Sequence, residues 1–151
     1  MAAVVVLLLV VAGVLGWWLL WNPYRILPRL MDQVALPDGL VVVYEEERGN
    51  RHCIFECPSV VRHYLTASGA EEICEQLGRV SDDWPGEPRF EPRPDREGCS
   101  GGTRPQRRRS ISVAVRPLPA DQERLPGTVI GVPARYQGAT LVRVTGSQAP
   151  R

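Results

Sequence analysis

The sequence lacks lysine altogether, so arginine alone supplies its basic side chains. Eighteen arginines oppose 17 acidic side chains, and this near balance gives no electrostatic basis for a nucleic-acid partner. Histidine is also scarce: His52 and His63 are the only two, and neither lies in a nucleophile elbow or a His-x-x-x-His pair. We therefore predict no catalytic residue, no metal site and no bound cofactor, and we favour a role other than enzymatic.

Charged and strongly polar side chains are missing from the stretch between Ala2 and Trp21. Twenty helical residues rising 1.5 Å each span about 30 Å, which is the thickness of a bilayer's hydrocarbon core. A helix that is apolar on every face is unusual in a small soluble domain, because it has no side to turn toward water. Residues 1–21 are therefore predicted to form a transmembrane anchor.

The same segment lacks the marks of a cleaved secretory signal. No basic side chain precedes the apolar run, and bulky Trp17, Trp18 and Trp21 stand where a small-x-small cleavage site would be needed. Tryptophan is enriched at the membrane interface, so these three residues are predicted to lie there. No cysteine occurs before Cys53, which excludes a lipoprotein anchor. We predict an uncleaved anchor whose partner is the lipid bilayer.

Two rules disagree about the side of the membrane that the remaining chain occupies. Arg25 and Arg29 directly follow the apolar run, and the positive-inside rule then favours the cytoplasm. Four cysteines within less than fifty residues, Cys53, Cys57, Cys74 and Cys99, are typical of an oxidising compartment. We favour the cysteines, and expect a single-pass protein of the cell membrane with an extracytoplasmic domain.

The rest of the chain is long enough for one domain. We predict a juxtamembrane connector over 22–36, a small α+β domain over 37–146 and a tail over 147–151. Within the connector, Asn22 as N-cap and Pro23 at the first helical position favour a short helix through 24–27, which Pro28 disturbs. The domain is expected to be an antiparallel sheet with one packed helix, stapled by disulfides. The helix is placed after Ser68, an N-cap with a capping-box Glu71, and ends at Gly78. Its helical spacing predicts one buried face, made of Ala70, Ile73, Cys74 and Leu77. Residues 81–106, rich in proline and glycine, are expected to be a long loop. Strands are predicted over 40–44, 51–57, 60–65, 110–115, 128–132 and 139–144.

Structural disulfides are the expected role of the cysteines. Four cysteines allow three connectivities, of which we favour Cys53–Cys57 with Cys74–Cys99, because the second bridge would close a large loop. An alternative pairs Cys57 with Cys74. The Cys53-x-x-x-Cys57 spacing also leaves open a redox-active pair, although such pairs more often have two intervening residues at a helix N-terminus.

The stretch from Leu36 to Glu75 resembles a type of membrane-anchored protein of high-GC Gram-positive bacteria. The resemblance is carried by Leu36-Pro37-Asp38-Gly39 before a strand, Cys53 to Pro58, Arg62 and Tyr64 in the next strand, and a helix with Glu71, Glu72 and Cys74. It covers less than a third of the chain. It implies an extracytoplasmic, disulfide-bonded domain and no particular activity.

Three functions remain open at this point. The first is an accessory or binding protein that presents its domain to an envelope or membrane-complex partner. The second is a membrane-tethered thiol-redox protein or enzyme that uses Cys53 and Cys57. The third is a regulatory domain that faces the cytoplasm. We favour the first, because no catalytic constellation accompanies the anchor and the cysteines.

Overall fold

A computed structural model describes residues 2–49, 57–92 and 98–149. The described chain is α+β, with three helices and a six-stranded antiparallel sheet in the order β1-β2-β6-β5-β4-β3. The helices are α1 (Ala2–Trp21), α2 (Pro23–Met31) and α3 (Ala70–Val80), and the strands are β1 (Val41–Arg48), β2 (Ser59–Thr66), β3 (Arg89–Pro92), β4 (Cys99–Gln106), β5 (Arg109–Pro117) and β6 (Thr140–Gln148). The strand expected over 51–57 lies outside the described residues except for Cys57.

Helix α1 has the predicted bounds and presents apolar side chains on all sides. Its large side chains between Val4 and Trp18 are exposed, from 46% at Val11 to 68% at Leu9. No single helix among the described residues is long and apolar enough to cross a membrane. The stretch Ala3–Trp18 and α2, bent by 45° at the break between them, pass that test together by length and composition.

Helix α2 begins where the sequence indicated, since Asn22 is its N-cap and accepts a hydrogen bond from the backbone N–H of Tyr24 at 3.2 Å. Pro28 lies inside the helix and does not end it. The residues expected to form a connector belong to the core instead. Helix α2 packs on β2, β5 and β6 of the sheet. Its side chains Leu27, Leu30 and Met31 are buried in that contact.

The reason that α2 can lie so close to the sheet is a glycine in β6. A Cβ atom at Gly146 would stand 3.0 Å from the Met31 sulfur and 3.5 Å from the Cβ of Leu27. The missing side chain therefore leaves room for the helix. Two helices, α2 and α3, share one face of the sheet, where the sequence had predicted one.

Helix α3 has Gly69 as its N-cap, and no side chain caps it, so the predicted capping box of Ser68 and Glu71 is wrong. The carbonyl of Ser68 instead accepts a hydrogen bond from the Thr140 hydroxyl of β6 at 2.7 Å. The helix also runs past Gly78 to Val80. Its buried side chains, Ile73 and Leu77, are those that the helical periodicity indicated.

The prediction of a long loop over 81–106 is wrong, because β3 and β4 lie within it. Glycine usually weakens the interior of a strand, but in β4 close packing requires glycine at two positions. A Cβ at Gly101 would stand 2.5 Å from the Phe90 ring, and one at Gly102 would stand 2.7 Å from the carbonyl oxygen of Ile111. Pairing with β5 stabilises β4, and local composition does not reveal that pairing.

The expected final strand pair is also wrong. Residues 128–132 form no strand; their region holds only an isolated bridge between Arg124 and Gly131. Strand β6 instead pairs with β2 and β5 at the centre of the sheet, and it continues through Ser147 and Gln148 of the expected tail. The segment between β5 and β6 folds over the sheet face opposite the helices. There its apolar side chains form a second small core with the sheet, made of Leu65, Leu118, Leu125, Val132 and Leu141.

A disulfide between Cys74 and Cys99 joins α3 to the start of β4, as predicted, and it excludes the alternative pairing of Cys57 with Cys74. Cys57 is also disulfide-bonded. Its expected partner, Cys53, lies outside the described residues, so the Cys53–Cys57 bond stays a prediction.

Candidate functional site

The sheet face opposite the helices is covered over only part of its area. Alternate residues of β5 show the division, because Ile111, Val113 and Val115 pack into the core beneath the helices. The residues between them point to the other face. Among these, Ser112 and Arg116 are exposed. We call the uncovered part of this face, formed by β3, β4, β5 and the adjoining part of β6, the open face.

A shallow groove of about 280 Å³ lies on the open face. It is lined by polar and small side chains together with backbone, contributed by Glu87, Arg89, Gly102, Thr103, Arg104, Ser110, Ile111 and Ser112. The strand register explains the lining, since Arg89, Gly102 and Ser112 stand opposite one another on β3, β4 and β5. Guanidinium groups and hydroxyls beside a glycine that leaves backbone accessible are suited to binding a polar ligand that carries acceptor oxygens.

A pair of arginines extends the positive charge of this face toward the centre of the sheet. Arg143 of β6 lies opposite Ala114 of β5, whose small side chain leaves space beside it. Arg116 of β5 lies opposite Leu141, which places it diagonally next to Arg143. Both arginines are exposed. Burial lowers the pKa of Arg116, and the like charge of Arg143 lowers it further.

His63 lies directly beside this pair, in the middle of the covered part of the face. Its register partners are Arg143 on β6 and Tyr44 on β1, and the Tyr44 and His63 ring centroids are 5.7 Å apart. The side chain is buried, and its Nδ1 atom has no hydrogen-bond partner among the residues that the structure describes. Burial lowers the pKa of His63 to about 4, and the positive charges of Arg143, Arg116 and Arg48 lower it in the same direction, against an opposing effect of Glu46.

Other arginines of the sheet have acidic neighbours. Arg62 forms ion pairs with Asp32 and Glu45, and through them it connects the end of α2 to β1. Burial alone would lower the pKa of Arg62, but the hydrogen bonds to these two carboxylates outweigh it and raise the pKa. Arg48 pairs with Glu46 on the same strand. Arg116 and Arg143 form no ion pair within the described ranges.

The residues that the sequence singled out are not gathered into one site. Trp17 and Trp18 are exposed on α1, which precedes the first strand of the sheet. The Trp21 side chain lies outside the described part of the structure. His52 lies outside the described residues. Across 2–49, 57–92 and 98–149, no group of three or more His, Cys, Asp or Glu side chains is arranged to hold a metal ion.

The comparisons with known proteins do not assign this site. No family model matches the chain, and no match is found among curated proteins or solved structures. The resemblance in the Leu36–Glu75 stretch therefore stays a prediction.

Sequence reasoning did not single out Arg116, Arg143 or the groove. One signal was available: Arg116 continues the alternation of Ser110, Ser112 and Ala114 and so belongs to the non-core face of its strand. Arg143 could not be placed in the same way, since it interrupts a run of apolar residues in β6. Only the pairing of β6 with β5 brings the two arginines together.

Proposed function

We propose that this protein is a single-pass membrane protein that presents a disulfide-bonded extracytoplasmic domain, and that the open face of the domain binds an envelope or membrane-complex partner. The observation that carries the proposal is helix α1. Its twenty residues include no charge, and its large apolar side chains between Val4 and Trp18 are exposed rather than packed on the sheet. Such a helix gains most by entering a hydrocarbon environment.

The orientation is supported by the Cys74–Cys99 bond. Structural disulfides persist in oxidising compartments and are rare in the cytosol, and this one holds the first residue of β4 in place. Arg25 and Arg29 oppose this orientation, but two arginines are a weak topological signal. The binding role is supported by the open face, which carries a solvent-accessible groove with arginine and serine side chains in its lining, whereas the neighbouring strands have an apolar cover.

Membrane anchoring is tested by placing charge in the middle of α1. Its six valines and six leucines contribute roughly −4 to −7 kcal/mol on the biological insertion scale, whereas two central arginines cost about 5 to 7 kcal/mol. Leu9→Arg with Val10→Arg is therefore expected to move the protein from the carbonate-resistant membrane fraction to the soluble fraction.

The matched control is Leu9→Val with Val10→Leu, which exchanges the two side chains and leaves the composition of the helix unchanged. This variant is expected to stay in the membrane fraction. If the double-arginine variant also stays there, or if the wild-type chain is extracted by carbonate, α1 is not the anchor.

Orientation is tested by the oxidation state of the cysteines in intact cells. Trapping with a membrane-permeant maleimide, before and after reduction, is expected to show thiols only after reduction. Four thiols that react without reduction would instead support a cytoplasmic domain. A Cys53–Cys57 bond that a mild reductant opens much sooner than Cys74–Cys99 would support the thiol-redox alternative.

A further inference from the structure

The most unusual electrostatic feature of the domain is a pair of adjacent like charges that form no ion pair with any residue of 2–49, 57–92 or 98–149. Arg116 and Arg143 lie on neighbouring strands as a diagonal cross-strand pair, at a Cα separation typically of about 7–8 Å. Like charges so placed repel each other. Arg62 and Arg48, by contrast, have carboxylate partners within the domain. The fold therefore places two arginines on neighbouring strands with no described ion pair to offset their repulsion.

Most of the charged groups around His63 are positive. The imidazole of His63 faces Tyr44, Glu46 and Arg48 from β1, Arg143 from β6 and Arg116 from β5. Three of these groups disfavour the imidazolium, and only Glu46 favours it. Since Glu46 is already paired with Arg48, the field at the arginine pair stays positive and would attract an anion.

The position of the pair also leaves room for a ligand. Ala114 lies opposite Arg143 and presents only a methyl group, and both arginines are exposed to solvent. On the same face, Ser112 lies two residues before Ala114 in β5 and lines the groove. A ligand anchored at the arginine pair can therefore extend along the open face into the groove.

We propose that Arg116 and Arg143 together bind one carboxylate or phosphate group of a ligand that lies along the open face. A planar guanidinium donates paired hydrogen bonds to both kinds of oxyanion. The ligand relieves the repulsion between the arginines by placing a negative charge between them. This inference names the ligand chemistry of the proposed binding role and rests on that role, but it requires neither the membrane anchor nor the predicted orientation.

The test uses inorganic phosphate as the probe and the full chain in nonionic detergent. Phosphate affinity is measured from the shift of the urea unfolding midpoint, compared with chloride at equal ionic strength. Arg116→Gln and Arg143→Gln are each expected to weaken phosphate binding about tenfold, the minimum for losing a charge-assisted hydrogen bond. Arg79→Gln is the control, because Arg79 lies exposed on α3, on the opposite side of the sheet.

Phosphate also stabilises proteins nonspecifically through exclusion from their surfaces, so the comparison with the control variant decides the result. If Arg143→Gln retains the phosphate response of Arg79→Gln, the arginine pair does not bind the anion. An equal response in all variants, including the wild type, would mean that only the nonspecific effect is present, and the proposal would be wrong. Either result leaves the membrane proposal unaffected, since carbonate extraction tests it separately.

A second measurement distinguishes a bound anion from a change in folding. The pKa of His63 is followed by NMR in a His52→Gln background, where a single imidazole remains. Phosphate is expected to raise this pKa, because a bound anion offsets the positive field. Arg143→Gln is expected to raise the pKa without phosphate and to abolish the further rise on adding it. A pKa that phosphate leaves unchanged in the wild type would contradict the proposal.

Discussion

Reduction of the Cys74–Cys99 bond is expected to destabilise the domain by an amount that follows from its sequence separation of 25 residues. The loop-entropy relation gives about 12 cal/mol/K for a loop of this length, or about 3.5 kcal/mol at 25 °C. This is a large part of the 5–15 kcal/mol that stabilises a typical domain. The bond also holds the edge of the sheet, because Cys99 begins β4 and pairs with both β3 and β5.

The measurement is best made in a Cys53→Ala, Cys57→Ala background, so that reductant acts on one bond alone. Urea unfolding of the detergent-solubilised full chain is followed by pulse proteolysis, with and without reductant. With a urea slope of about 2 kcal/mol/M for a domain of this size, reduction is expected to lower the unfolding midpoint by roughly 1.7 M. Both side chains remain in place, so the shift reports the cross-link and not a cavity.

The control adds Cys74→Ala to the same background, which removes the bond in advance. Reductant is then expected to leave the midpoint unchanged. A shift below about 0.5 M on reducing the Cys74–Cys99 bond would contradict this prediction, because the two segments would then be held together without the covalent link. The entropic calculation treats the unfolded chain as a free loop, and a small shift would show that this assumption fails here.

Three further predictions concern the core, the close packing of β4 and the buried imidazole. Leu27→Ala, at a fully buried position of α2, is expected to lower the free energy of unfolding by about 3 kcal/mol, whereas a residue in a simple connector would cost less than about 0.5 kcal/mol. Gly101→Ala is expected to cost about 1–3 kcal/mol, because its Cβ would overlap a neighbouring ring; Gly131→Ala, whose Cβ would have ordinary contacts, is the control. The folded-state pKa of His63 is lowered to about 4 from 6.5, so the unfolded chain binds more protons between these values. Stability is therefore expected to fall as the pH is lowered from 6.5 to 4, by up to about 3 kcal/mol, and His63→Gln should remove that part of the pH dependence in urea titrations.

The elements predicted correctly are those whose signal lies within their own residues. Helix α1 is a continuous apolar run, and in β5 the buried Ile111, Val113 and Val115 alternate with residues of the other face. The helical spacing of Ile73 and Leu77 likewise identified the buried side of α3. In each case the side chains that decide burial are neighbours in the sequence, so periodicity is sufficient to find them.

The errors arise where packing overrides local composition. Pro28 suggested an interrupted connector, yet burial of Leu27 and Leu30 against the sheet outweighs the cost of one proline inside α2. The glycines of β4 suggested a loop, yet the approach of Phe90 and of the β5 backbone requires their missing side chains. In both cases the contact is made with another helix or strand, so it does not appear in the periodicity of the segment itself.

The apolar helix α1 and the α+β class of the domain could be predicted from the sequence, which also favoured the Cys74–Cys99 bridge among three connectivities. Each depends on composition, periodicity or a loop length that can be counted along the chain. Only the tertiary structure decided that α2 is a core helix, that β4 is a strand and that Arg116 adjoins Arg143. The physical reason is that these features are set by strand register and by the volume left between packed elements, and both depend on residues distant in the chain.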